Sequence, residues 1–170
     1  MESHVRVATD ADLPALRDIE DAAGRAFTEI GMALVGADPP PSIQTLREFQ
    51  SDGRGWVWTD ADDHPVGYII AAVVDGNAQV EQVSVHPDYA HRRIGRALIE
   101  QVIGWARGRY LPAVTLTTYT QVAWNGPYYQ RCGFRYLAEE ELTVGLRAIR
   151  AAEIAHGLDR WPRACLRKDL

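Results

Sequence analysis

The chain has 170 residues, of which 46% are hydrophobic and 24% charged, and carries a formal net charge of −5. That length fits one domain with a single packed core, and an acidic balance with no long basic run argues against general nucleic-acid binding. No stretch is apolar for long enough to span a bilayer, and Cys132 and Cys165 form neither a metal pattern nor a disulfide framework, so the expectation is a soluble, cytoplasmic protein with reduced thiols.

In chain order, Val5 and Val7 alternate with His4 and Arg6, which predicts a short first strand. Thr9-Asp10-Ala11-Asp12 is a helix entry, followed by an apolar stripe of Leu13, Leu16, Ile19, Ala23 and Phe27. GMALVGADPPP, residues 31–41, reads as a breaker-rich loop, and Ser42 caps a second helix through Leu46 and Phe49. Two strands follow, GWVWTD and VGYIIAAVVD. The turn Asp75-Gly76-Asn77 then leads into a strand expected over Val80–Val85.

A helix with Ile94, Leu98, Val102 and Trp105 at steps of four and three comes next, then a strand over Pro112–Tyr119. Asn125 is expected to cap a short helix that Gly133 closes, and Phe134–Leu137 resumes as strand. Residues 139–156 favour a helix with acids at its start, and Trp161–Arg167 offers a last strand. The order β-α-α-β-β-β-α-β-α-β-α-β predicts a mixed α/β sheet, antiparallel before the central helix and with a parallel crossover after it.

The chemistry concentrates in VEQVSVHPDYAHRRIGRALIEQVIGWA, residues 80–106. Val80, Gln82 and Ser84 alternate with Glu81, Val83 and Val85 across the strand, and His86-Pro87-Asp88 stops it. Arg92, Arg93 and Arg96 crowd the following helix start, where the macrodipole already favours an anion. Free helix N–H groups and arginine forks suit phosphate oxygens. The residues alone leave two readings open, a solvated basic helix start and a phosphate site.

This stretch resembles the GNAT superfamily of N-acyltransferases, in which the strand pairs with the pantetheine arm of acyl-coenzyme A and a Q/R-x-x-G-x-G/A turn wraps the pyrophosphate. Anchored on His86-Pro87-Asp88-Tyr89 and Gly95-Arg96-Ala97-Leu98, the motif here reads Ala90-x-x-Arg93-x-Gly95. Ala90 and Arg93 depart from it, and an arginine in the glycine position implies a backbone that needs no positive φ there. WNGPYYQRCGF, residues 124–134, is the second matching stretch, with an asparagine, a short helix and a tyrosine before Gly-Phe.

The resemblance implies a single GNAT domain over residues 1–170. Its fold would be a twisted, mostly antiparallel sheet with flanking helices and an extra helix between the last two strands. It implies acetyl-CoA as cosubstrate, held by Val83, Ser84, Val85, His91, Arg92, Arg93, Ile94, Gly95, Arg96, Asn125 and Tyr128. An amine acceptor would attack the thioester directly, with no metal. Tyr129 would protonate the departing thiolate and Glu81 would take the amine proton, directly or through water. Phe27, Glu29, Ile30 and Met32 would line the acceptor pocket, and the 139–156 helix would serve as ornament, lid or homodimer contact. The alternative is a non-catalytic acyl-CoA-binding module on the same fold.

Overall fold

A computed structural model describes residues 4–170. Seven strands form one mostly antiparallel sheet: β1 (His4–Val7), β2 (Gly55–Thr59), β3 (Pro65–Val74), β4 (Asn77–Val85), β5 (Ala113–Tyr119), β6 (Arg135–Tyr136) and β7 (Arg163–Asp169), in the order β1-β2-β3-β4-β5-β7-β6. The helices are α1 (Leu13–Glu29), α2 (Ala33–Gly36), α3 (Ile43–Ser51), α4 (Ile94–Gly108), α5 (Gly126–Arg131) and α6 (Val144–Ala155). The chain divides into two compact units. The first comprises residues up to Ala72 together with Glu81–Gln101, and the second Val73–Val80 together with Val102–Leu170. β3, β4 and α4 each pass from one unit into the other.

In the first unit, β1 and β2 run antiparallel with Val5 opposite Trp58, and β2 and β3 with Val57 opposite Tyr68. The first three residues of the expected α1 stripe are buried, while Ala23 and Phe27 are only half-buried and Ala22 is buried in their place. Leu13, Leu16 and Ile19 are buried with Leu46 of α3, Val57 of β2 and Tyr68 and Ile70 of β3. Asp12 anchors the entry to α1, its carboxylate accepting the Thr9 N–H at 2.8 Å and a two-pronged bond from Arg6 at 2.7 and 3.0 Å. Ser42 caps α3 as expected, its Oγ accepting the Thr45 N–H at 3.1 Å. The breaker-rich segment 31–41 is not all loop. The Met32 carbonyl accepts the N–H groups of Val35 and Gly36 at 3.0 Å each, closing α2, and the buried Met32 side chain holds that turn in place.

In the second unit, the Asp75-Gly76 turn has φ of 51° and 78°, the doubly positive pair that matches strand twist in a two-residue hairpin. β4 therefore begins at Asn77, three residues before the expected Val80. β4 pairs parallel with β5 at Ala78 opposite Val114 and Gln79 opposite Thr115, and β5 pairs antiparallel with β7 along its length. The segment 139–156 is two pieces instead of one helix. Glu139–Glu141 forms a single 3-10 turn, and Thr143 Oγ1 accepts the Leu146 N–H to start α6 afresh. The acids stay out of α6 because Glu141 is engaged elsewhere: it accepts the Ala138 N–H and an Arg135 bond at 2.8 Å each. α6 is pinned to the sheet through Glu153, which accepts from Thr117 Oγ1 of β5 at 2.5 Å and Arg163 of β7 at 2.9 Å.

Trp105 is half-buried, short of the core place expected for it, and carries the Arg109 guanidinium 5.0 Å above its ring. Cys132 and Cys165 are both buried and free, and burial pushes the Cys165 thiol up to about 11, so it stays an inert thiol at neutral pH. No described helix is long and apolar enough to cross a membrane.

Candidate active site

β4 supplies the first part of the site. Alternation along the strand puts Gln82 and Ser84 on one face and Glu81, Val83 and Val85 on the other. Gln82 and Ser84 reach a common partner, Glu20 of α1. Glu20 Oε2 accepts from Ser84 Oγ at 2.6 Å and from the buried Tyr68 hydroxyl at 2.8 Å, while Oε1 accepts from Gln82 Nε2 at 2.7 Å. Burial pushes the Glu20 carboxyl up, against the Ser84 and Tyr68 hydrogen bonds that hold it down, and Asp21 and Asp38 add to the rise. Glu81, on the opposite face, is exposed.

Beyond β4, the Asp88 N–H donates to His86 Nδ1 at 3.1 Å, which closes the turn that Pro87 begins. Ala90 is extended, and the chain then alternates in handedness: His91 has φ of 62°, Arg92 is on the negative side and Arg93 has φ of 61°. The expectation that Arg93 needs no positive φ is therefore wrong. Arginine occupies a left-handed position that glycine adopts at no steric cost, and bears a strain of about 1–2 kcal/mol for it. Alternating handedness of this kind turns successive N–H groups to one side and makes a concave anion site.

α4 starts directly after this turn. Its first internal bond runs from the Ala97 N–H to the Arg93 carbonyl at 3.1 Å, which leaves the N–H groups of Ile94, Gly95 and Arg96 without helical partners. Arg92, Arg93 and Arg96 are exposed, and none is ion-paired among the described residues. The Arg92 guanidinium lies 5.0 Å over the Tyr89 ring, held beside the turn. The turn and helix start thus combine free amides, an aligned dipole and three unneutralised guanidinium groups, a donor set that fits a pyrophosphate.

The second unit holds Asn125, Tyr128 and Tyr129. Asn125 precedes α5 but does not cap it through its side chain. Its Oδ1 instead accepts from Thr118 Oγ1 of β5 at 2.8 Å. α5 sits tightly over the strand end, since a Cβ at Gly126 would run into the Tyr136 hydroxyl and approach the Tyr119 carbonyl at 3.1 Å. Tyr129 is buried at 8% exposure. It meets Tyr128 edge-on at 5.6 Å and Phe134 at 6.1 Å, so its ring direction is set by packing.

The acceptor-side candidates all belong to the first unit. Phe27 is half-buried, Glu29 and Ile30 are exposed at the end of α1, and Met32 is buried beneath α2. In the β2–β3 turn, Asp60, Asp62 and His64 bring ligand atoms within 4.8 Å of one another. Asp60 Oδ1 is occupied there, accepting the backbone N–H groups of Asp62 and His64 at 2.9 Å each, so the trio reads as a self-bonded turn.

Glu20, with its partners Tyr68 and Gln82, lies outside the site expected from the sequence. Its signal was present: it lies four residues after Leu16 and seven after Leu13, a carboxylate on the buried stripe of α1.

The sequence model of the acetyltransferase (GNAT) family matches residues 16–134, and the chain belongs to that family. The fold is similar to that of a GNAT-family acetyltransferase from Staphylococcus aureus Mu50, with a TM-score of 0.75 at 14% identity over 99% of each chain. It is similar to the ribosomal-protein-S18-alanine N-acetyltransferase of Escherichia coli, with a TM-score of 0.67 at 20% identity over 98% of this chain and 93% of that one. The PaiA N-acetyltransferase of Thermoplasma acidophilum, solved in complex with coenzyme A, matches with a TM-score of 0.71 at 13% identity over 100% of both chains.

Proposed function

We propose that the protein, acting as a single domain over residues 1–170, transfers an acetyl group from acetyl-CoA to the amine of a small-molecule acceptor. The observation that carries this reading is the His91–Arg96 cradle, with its alternating backbone, free helix amides and three unpaired arginines. It supports binding of the pyrophosphate of a coenzyme A thioester, as does coenzyme A in the Thermoplasma relative. The backbone of Val83–Val85 would take the pantetheine arm as an added strand, and Asn125 and Tyr128 would contact the same carrier.

In this scheme the acceptor nitrogen attacks the thioester carbonyl carbon and the carbon–sulfur bond breaks. Coenzyme A leaves as a thiolate. The Tyr129 hydroxyl delivers the proton to that sulfur. An alkylamine with a pKa of about 10.4 is mostly protonated at neutral pH, so a base must deprotonate it, and exposed Glu81 takes that proton directly or through water. Phe27, Glu29 and Ile30 would face the acceptor. The test is calorimetric titration with coenzyme A followed by thiol release from acetyl-CoA across a panel of amines and alcohols. Tight binding with amine-dependent thiol release is expected. Binding without turnover on any acceptor would replace the enzyme by an acyl-CoA-binding module, and turnover with alcohols alone would make the transfer an O-acylation.

A further inference from the structure

We propose that Glu20 is a positioning residue for the acyl donor: by accepting from both Gln82 and Ser84 it holds the backbone of β4 at Val83 in the geometry that the pantetheine arm needs. The proposal rests on the donor-binding reading above. Gln82 and Ser84 are alternate residues of one strand face and straddle Val83, the first residue whose backbone is assigned to the donor. One carboxylate takes both side chains, at 2.7 and 2.6 Å, and the same oxygen that accepts from Ser84 accepts from the Tyr68 hydroxyl. Three elements, α1, β3 and β4, are thereby tied at a single charged group.

Such a tie is directional where apolar packing is not. Three donors aimed at one carboxylate, two of them buried, fix the height of β4 against α1 and its rotation about its own axis. A strand that slipped by one residue would turn Gln82 and Ser84 away from Glu20 and present Glu81 and Val83 in their place. A backbone that must meet a ligand through its own N–H and C=O groups has no side chain to adjust, so its placement depends on what lies behind it. The Ser84 and Gln82 groups also touch each other, with Gln82 Nε2 donating to Ser84 Oγ at 3.3 Å, which stiffens the pair further. No residue of this cluster needs to touch the reacting atoms.

The test compares wild type with Glu20→Gln and Gln82→Met, each checked for native circular dichroism, by titration with coenzyme A and by steady-state kinetics in acetyl-CoA. Each variant is expected to raise the coenzyme A dissociation constant and the KM for acetyl-CoA about tenfold, the size of one lost charge-assisted hydrogen bond. kcat should fall by much less than KM rises. The double variant should lose less than the sum of the single losses, because both changes act on the Gln82–Glu20 bond. A role confined to stability would lower the melting temperature and leave the dissociation constant of the folded protein unmoved. Wild-type affinity in both folded variants, or a loss in kcat with KM unchanged, would overturn the proposal. Failure of the donor-binding reading shows separately, as wild type that does not bind coenzyme A.

Discussion

Arg6 and Asp12 face each other fork to fork: the guanidinium donates to both carboxylate oxygens, at 2.7 and 3.0 Å, where β1 hands over to α1. Burial opposes the charge on Asp12, yet the bonds from Arg6 and Thr9 hold its carboxyl below the usual range. A carboxyl whose pKa is depressed in the folded state adds stability above its unfolded value of about 3.9, and that stability is lost as pH falls through the folded value. Asp12→Asn should therefore cost about 2 kcal/mol at neutral pH and progressively less as the pH falls below the unfolded value. Urea unfolding at neutral and at acidic pH checks this, and an equal loss at both would show that charge is not the cause.

The strained turn makes a prediction about backbone shape. Arg93→Val places a β-branched residue at φ of 61° and should destabilise the fold by about 1–2 kcal/mol. Arg93→Gly relieves the strain but frees the unfolded chain, so its stability should stay within about 1 kcal/mol of wild type. Denaturant midpoints of the two variants decide it, and equal stability of valine and glycine would exclude left-handed strain at this position.

Charge in the cradle is tested by replacing Arg92 and Arg96 together with alanine. The coenzyme A dissociation constant should rise about ten- to a hundredfold, while pantetheine carriers lacking the pyrophosphate should show no difference between the proteins. The wild-type affinity should also fall as salt is raised from about 0.05 to 0.5 M. An unchanged dissociation constant in the double variant would remove these arginines from the site.

For the proton donor, Tyr129→Phe keeps the ring that packs on Phe134 and removes only the hydroxyl. Turnover should drop about a hundredfold with coenzyme A affinity unchanged. Pre-steady-state thiol release gives the readout, and full turnover in the phenylalanine variant would assign protonation of the thiolate to another group.

The seat of α5 is tested by Gly126→Ala, which drives a methyl group toward the Tyr136 hydroxyl and should cost about 1–3 kcal/mol. Adding Tyr136→Phe should recover part of that loss. The Tyr119 carbonyl stays 3.1 Å from the new Cβ, so recovery is incomplete. Thermal melts of the single and double variants report both effects, and a melt of Gly126→Ala that matches wild type would contradict the close approach.

Much of the architecture was legible because it depends on local chemistry. The Ser42 cap, the Asp75-Gly76 turn, the stripe of α1 and the parallel step from β4 to β5 follow from neighbours within a few residues or from element order. The misjudged places have a common reason. The 139–156 segment has helical composition throughout, but the Glu141 carboxylate is taken by Arg135 and the Ala138 N–H, and the helix restarts at Thr143. Asn125 has the type and place of a cap, and Thr118 claims its oxygen. In each case a neighbouring element supplies the partner: Ala138 and Arg135 for Glu141, and Thr118 for Asn125.

By itself, then, the sequence determined the order of most elements, the buried start of the α1 stripe and the location of the basic turn between β4 and α4, because periodicity and turn chemistry are read over short spans. Only the tertiary structure decided that Arg93 is left-handed and that a carboxylate on the buried stripe of α1 gathers Tyr68, Gln82 and Ser84. The Glu20 cluster joins groups up to 64 residues apart in the chain, brought together by a core whose packing outweighs any one local preference.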